Sequence, residues 1–360
     1  MKTLVTSILP ESQKNRIRKV QSGGYKLASQ AKPLASAYYS LLSRQFLREE
    51  RAVLLGLAKY HADLQENDAN IFLLRRNVHR LEKGMMMRPR RAVFAKEYIV
   101  ATVNVYRKLV AEPARSQESN AVSLHWAYDV LSKYFEIVAP EPAVDRAREM
   151  FEKCPIPAKT DTDRSKTPYH RDLDEHPVTY EQLERLAIKR RSVRWYEQKP
   201  VPRELLDKAF TVAGLSPTAC NRQPYRFLVF DDPEMVQTVA SLPGGTAGFK
   251  HNIPVIVAVV GTLDAFYCER DRHVIYIDSS LAAMSFSLAL ETVGLSSCIF
   301  NWPDIEKRER MAEKVLGLEG YERPIMFMGV GYPDPEAMVA YSQKRPLEVI
   351  REYNRPINPL

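Results

Sequence analysis

The chain has 360 residues, 45% of them hydrophobic, which supplies apolar material for two cores and excludes a disordered polymer. Its four cysteines, Cys154, Cys220, Cys268 and Cys298, stand far apart with no CxxC pair and no Cys/His ligand spacing, so neither a disulfide framework nor a bound metal is expected. The formal net charge of +8 is concentrated early: residues 1–110 hold 21 Lys and Arg against 8 Asp and Glu. That asymmetry suits an anionic surface, a solvated helical face, or a contact with the rest of the chain.

The first residues, "MKTLVTSILPESQKNRIRK", carry no hydrophobic region of leader type, and the longest uninterrupted apolar run is "IPVIVAVVG" at 253–261. A bilayer crossing needs roughly 20 apolar residues. A cytoplasmic chain without membrane insertion is therefore the expectation.

From about Lys26 to Lys153 the apolar residues recur at helical spacing. Tyr38, Leu41, Leu42 and Phe46, then Val53, Leu54 and Leu57, set the pattern, and four or five helices follow from it. An all-α N-terminal domain over 1–153 is expected. Within it, "IFLLRRNVHRLEKGMMMR" (71–88) places Arg76, His79, Arg80 and Lys83 three to four residues apart. His79, Arg80 and Lys83 could bind an anionic substrate or supply it a proton. The same face could instead dock, salt-bridged, onto the remainder of the chain.

Residues 154–177 are rich in Pro, Thr and charge and lack apolar periodicity, so they read as a linker. Over 178–360 helices and apolar strands alternate. "TYEQLERLAIKRR" and "PRELLDKAFTVAGL" are helical, the second opened by Pro202. "YRFLVFD", "IPVIVAVVG", "SSCIFNW" and "IMFMGVGYP" are strands, and "DSSLAAMSFSLALETVGL" is a helix with Asp278 as its cap. This order makes an α+β fold, an α/β sandwich around one sheet.

Three segments carry chemistry. "KRRSVRWYEQKPVP" sets Arg190, Arg191 and Arg194 around Ser192; guanidinium forks and a hydroxyl suit a phosphate monoester, and a basic helix end stabilised by its own dipole is the plain alternative. "SPTACNRQPYRF" stiffens a loop with Pro217 and Pro224 and mounts two amides on it, Asn221 and Gln223, fit for the edge of a flat heterocycle or for nothing beyond a turn. "YSQKRPLEVI" puts Lys344 and Arg345 after the last strand, where they could converge on the same phosphate or face solvent.

These segments, with "DSSLAAMSFSLALETVGLSSCIF" and "MGVGYP" between them, resemble in order the nitroreductase family of FMN-dependent oxidoreductases, over about residues 178–353. The resemblance implies a nitroreductase-like sandwich over 178–360 that binds FMN and takes reducing equivalents from NAD(P)H. It implies that Arg190, Ser192 and Arg194, with Arg191 among them, hold the phosphate and ribityl chain, and that Lys344 and Arg345 reach the same phosphate. It places Pro217, Thr218, Ala219, Asn221 and Gln223 on the flavin, partly from the other subunit of a homodimer, and runs Ser296 and Ser297 beside the ring. No protein nucleophile and no catalytic side chain is assigned.

The family's helical lid is short here, since only "TLDAFYCERDRHVIYI" joins the second strand to the central helix. The helical half is expected to cover the site instead. The substrate is a small molecule: a nitro, quinone or activated-alkene acceptor. The rival reading is a protein of this fold acting as a binding or assembly partner in a polysaccharide or natural-product pathway. Nucleic acid is not an expected partner, because no helix-turn-helix, RRM or zinc pattern is present.

Overall fold

The computed structural model describes residues 10–43, 45–65, 70–111, 114–157, 165–171, 173, 174 and 176–356. The start of the chain and part of the 154–177 linker lie outside that set.

Helices α1 (Glu11–Ala28), α2 (Lys32–Ala37) and α3 (Leu47–Gln65) come first. They are followed by α4 (Ile71–Met85), α5 (Ile99–Ala111), α6 (Ala114–Ile137) and α7 (Pro142–Glu152). Asn70 opens α4 by accepting from Leu73 N at 2.9 Å, which satisfies one of the free N–H groups at the helix start. Helices α4 to α7 close on their own core, built on Leu74, Val78, Leu81, Val103, Tyr106 and Leu131. Helix α3 goes elsewhere. Its Ala52 and Val53 belong to the core under the sheet, together with Leu263, Ala265 and Phe266. Gly56 makes that approach possible, since a Cβ there would lie 2.7 Å from Leu263.

After the linker come α8 (Tyr180–Lys189), α9 (Arg203–Gly214), β1 (Tyr225–Phe230), α10 (Pro233–Ala240), β2 (Val255–Thr262), α11 (Val274–Thr292), β3 (Ser296–Asn301), α12 (Glu306–Leu316), β4 (Glu322–Gly331) and the short α13 (Leu347–Ile350). Helix α8 starts with a reciprocal capping box, Thr179 Oγ1 taking Gln182 N at 3.3 Å and Gln182 Oε1 taking Thr179 N at 3.0 Å. The four strands expected from the sequence form one antiparallel sheet in the order β1-β2-β4-β3. Both faces of the centre are covered, which is why β2 is an unbroken apolar run rather than an alternating one. Val255, Val257, Val259, Met328 and Val330 face α9 and α11, while Ile256, Ala258 and Phe327 face the opposite layer with Val236 of α10 and Ala312 of α12.

Two sequence expectations change. Helix α11 begins a full turn before Asp278, so Asp278 is no cap: it is buried inside the helix, and its carboxylate accepts from Ala219 N at 3.0 Å. A longer segment, interrupted by Asp278 and Glu291, is also apolar on average. Among the described residues one helix, Glu269–Thr292, holds an 18-residue window with a mean hydropathy of 1.3, long and apolar enough by length and composition to cross a membrane, and half of that window is buried in this fold.

Candidate active site

Helix α8 ends at Lys189 because Arg190 turns out of helical geometry, with ψ at 118°. The strap that follows lies along the free edge of β3: Ser192 bridges to Ser297, and Val193 N donates to Ser297 O at 3.1 Å. Val193 and Tyr196 are buried. The Tyr196 hydroxyl sits 2.6 Å from Val193 O and 3.0 Å from Gly329 O. Asn252 grips the strap from below, accepting from Tyr196 N at 2.9 Å and donating to Arg194 O at 2.6 Å. With the apolar residues held inward, Ser192 and Arg194 are turned out and Arg190 and Arg191 are half-buried.

None of these three guanidinium groups forms an ion pair among the described residues. Arg191 and Arg194 donate only to the nearby carbonyls of Arg190 and Ser192, each at 3.3 Å. Among the described residues Arg190 Nε is buried and has no hydrogen-bond partner. A buried guanidinium N–H left unpaired is costly, and a phosphate oxygen would satisfy it. The phosphate end of FMN fits the strap on that ground. Two buried groups lie close by. Burial pushes the Glu291 carboxyl up, opposed by its bond from Ser296 and by Lys189 and Arg190. Burial likewise raises the Cys298 thiol, opposed by Arg194 and Ser192. A buried thiol of raised pKa is a poor nucleophile, so Cys298 is a packing residue.

On β3, Ser296 and Ser297 are 4% and 2% exposed. Ser296 Oγ donates to Glu291 Oε1 at 2.9 Å, and Ser297 Oγ lies 3.0 Å from Ser287 Oγ. Their hydroxyls are therefore consumed inside the fold. The residues that β3 turns outward are Ile299, 42% exposed, and Asn301. Ile299 pairs with Met328 and so stands on the α11 side of the sheet. Both escaped the sequence reading. The alternation of "SSCIFN" on an edge strand was the signal that could have found them.

The amide-bearing loop packs on another part of α11. Ser216 Oγ donates to Ser285 Oγ at 2.8 Å, and Gln223 N donates to Thr218 Oγ1 at 3.2 Å. Pro217 is exposed, and Thr218, Ala219 and Asn221 are half-buried. Cys220, Asn221 and Gln223 all hold positive φ, at 54°, 51° and 52°. Both ends of the Gln223 amide are occupied: Nε2 donates to Gly214 O at 3.1 Å, and Oε1 accepts from Arg75 Nη2 at 2.8 Å. Asn221 accepts from Arg75 Nε at 2.7 Å through its backbone oxygen. Its side-chain amide makes no hydrogen bond among the described residues.

After β4 the chain passes the strap again, with Glu197 N on Tyr332 O at 2.9 Å and Asp334 N on Trp195 O at 3.1 Å. It then runs exposed to Lys344 and Arg345, which form no ion pair among the described residues. One chain thus brings Arg190–Arg194 against Ser296 and Ser297. It holds the 217–223 loop separately on α11.

His79, Arg80 and Lys83 serve their own domain or solvent. His79 Nδ1 is 3.5 Å from Glu82, Arg80 lies 3.7 Å over the Tyr98 ring, and Lys83 is exposed. Among the residues of α4 that reach across are Phe72, packed against the core under the sheet, Arg75, and Arg76, the last 4.9 Å from the Tyr267 ring centre. Tyr267 belongs to the short connection before α11, and Tyr60 of α3 packs beside it at 6.4 Å. Beneath α3 a cavity of about 640 Å³ opens between Val53, Leu54, Glu269 and His273. A further cavity of about 270 Å³, sharing Glu49 and His273, reaches Trp302 and Arg323. Its floor is ionic: Trp302 Nε1 and Arg48 Nη1 donate to the fully buried Glu309 at 2.5 and 2.9 Å. Among the described residues no cluster of three His, Cys, Asp or Glu side chains could hold a metal.

Sheet, strap and loop define an α+β domain, and comparison with known proteins shows what it resembles. The sequence model described as Nitroreductase family matches residues 187–243 and 234–332. The C-terminal half of the chain is thus similar to the nitroreductase family, and it is joined to an additional helical N-terminal half. Over 193 residues the chain is 25% identical to iodotyrosine deiodinase 1 of Pongo abelii, a match spanning 46% of this chain and 66% of the deiodinase. That is just under two thirds of the relative's length. It is also 27% identical over 152 residues to a protein of Methanothermobacter thermautotrophicus described as an NADH dehydrogenase or NAD(P)H nitroreductase, covering 41% of this chain and 75% of that one. Among solved structures, an FMN-dependent nitroreductase from Clostridium difficile aligns with 22% identity and a TM-score of 0.39, over 49% of this chain and 98% of its own.

Proposed function

We propose that the protein is an FMN-dependent oxidoreductase, reduced by NADH or NADPH, that acts on a small organic acceptor of the nitro, quinone or activated-alkene type. The observation that carries this reading is the strap: three guanidinium groups that form no ion pair among the described residues, one with a buried N–H that has no hydrogen-bond partner among them, on a nitroreductase-type sheet. When bound, FMN supplies the hydride chemistry, and the protein's task is to hold and orient it. Arg190, Ser192 and Arg194 take the phosphate, and the exposed Lys344 and Arg345 close on it from the tail. Ile299 and Asn301 form the bed of the ring at the edge of the sheet. No side chain of the chain needs to act as a nucleophile.

The site is completed by a second copy. Ile277, Leu281 and Met284 form an exposed apolar stripe along α11, and Ser280 lies within it. Pairing two chains across that stripe would carry the Pro217, Thr218, Ala219, Asn221 and Gln223 loop of one to the strap of the other. The deiodinase and nitroreductase relatives support a reductive reaction on a small molecule rather than a scaffold role.

The test is the visible spectrum of the purified protein, read with variants of the strap. The wild type should be yellow and should bleach when NADH or NADPH is added without air. Arg190→Ala and Arg194→Ala should each weaken FMN binding about 10- to 100-fold, the loss of one or two charge-assisted hydrogen bonds, while Arg107→Ala in the helical half changes nothing. A colourless protein that cannot take up FMN would overturn the reading and favour the assembly-partner role.

A further inference from the structure

We propose that the helical half takes part in the site through Arg75, a positioning residue that fixes the shape of the Thr218–Gln223 loop. This rests on the reading that the loop covers the flavin. Arg75 lies between Leu74 and Val78, both fully buried in the helical core, so the base of its side chain is anchored. Its guanidinium spends three donors on a converging set of acceptors: Nε on Asn221 O at 2.7 Å, Nη2 on Gln223 Oε1 at 2.8 Å, and Nη1 on Ser123 Oγ at 2.6 Å. The Trp126 ring lies 5.4 Å away, and Trp126 is itself held by a 3.0 Å bond to Glu82. No carboxylate pairs with Arg75 among the described residues. A largely buried cation without an acid is tolerated only where oriented dipoles replace water, and two of the three acceptors here belong to the loop.

The loop in turn depends on that grip. Three of its four residues from Cys220 to Gln223 hold left-handed backbone that side chains disfavour, and such geometry persists only where surrounding bonds over-determine it. Asp278 fixes the loop's first half through Ala219 N. Arg75 fixes the second. By taking Gln223 Oε1 it also sets the direction of the amide, so that Nε2 points back to Gly214 O at the end of α9. Gln223 is thereby withdrawn as a ligand contact. The groups left facing outward are the Asn221 amide and the Pro217–Ala219 edge. A lysine at position 75 would keep the charge and the helix but cannot form the two-pronged contact.

The experiment compares full-length wild type, Arg75→Lys, Arg75→Gln and Ser123→Ala by two readouts. Amide hydrogen exchange over 218–224 reports the loop without reference to the cofactor, and quenching of FMN fluorescence reports affinity. Arg75→Lys and Arg75→Gln should speed exchange of the loop about tenfold or more and weaken FMN about tenfold, with β2 and β4 as protected as in the wild type. Ser123→Ala, which cuts only the bond on the helical side, should leave both within about twofold. Wild-type loop exchange in Arg75→Lys, or equal loss in Ser123→Ala, would overturn the proposal and reduce Arg75 to a strut between helices. Should Arg75→Gln lose protection throughout, Arg75→Lys decides. If the wild type binds no FMN, the proposed function fails, and loop exchange alone still decides whether Arg75 is the clamp.

Discussion

Glu291 is a buried carboxyl whose surroundings pull in two directions. Burial raises its pKa above the ordinary 4.5, while Ser296, Lys189 and Arg190 pull it down, and burial wins. A carboxyl whose folded pKa exceeds its unfolded one favours folding while protonated. The contribution is complete below about pH 4.5 and is lost as the pH climbs through the folded value. Glu291→Gln keeps the acceptor for Ser296 and removes the charge. It should match the wild type in urea unfolding at about pH 4 and exceed it at about pH 8. A lower midpoint at the higher pH would mean that Lys189 and Arg190 outweigh desolvation. The same residue scale shows what a sequence can disclose. The cluster Arg190, Arg191, Arg194 was legible because charge density survives any fold. The inward turn of Ser296 and Ser297 was not, since it depends on the register of β3 against β4 and on Glu291 and Ser287 lying behind it.

At the scale of elements, the four strands were readable as apolar runs bounded by turn residues, whereas α11 was misplaced at its start. The cause is physical. Apolar residues surround α11, so periodicity marks neither a cap nor a preferred face, and Asp278 looks like a start signal although its real task is to hold Ala219 N. The structure separates the faces: Ala282, Ala283, Phe286 and Leu290 enter the core, while Ile277, Leu281 and Met284 remain outside it. A carboxylate placed in that stripe would have to be desolvated without a partner on association. If two copies pair across that stripe as proposed, Leu281→Glu should weaken self-association about 100-fold or more and shift the protein from dimer to monomer in sedimentation, with the far-ultraviolet circular dichroism unchanged. A variant that stays dimeric would show that the copies meet elsewhere.

For the whole molecule, helical periodicity announced an N-terminal helical half but could not say which core each helix joins, because an apolar stripe is the same whether it meets helices or a sheet. Helices α4 to α7 form a body of their own, whereas α3 gives Ala52 and Val53 to the core that holds the sheet. On sequence alone, removal of residues 1–150 would be expected to spare FMN binding and change only turnover. The structure replaces that expectation with a stepwise one. None of the residues of α1 and α2 whose burial the structure describes is buried, so removing residues 1–46 should leave the thermal midpoint close to that of the full chain. Removing residues 1–65 strips the cover from Leu263, Ala265 and Phe266 and leaves Glu309 without Arg48. Losing two packed core side chains and one partner of a buried ion pair should cost about 3–5 kcal/mol or more. Denaturant titration of the two truncations measures the difference. Equal stability of both truncations and the full chain would show α3 to be a detachable cover, and a large loss already in the shorter truncation would place essential contacts in residues 1–46.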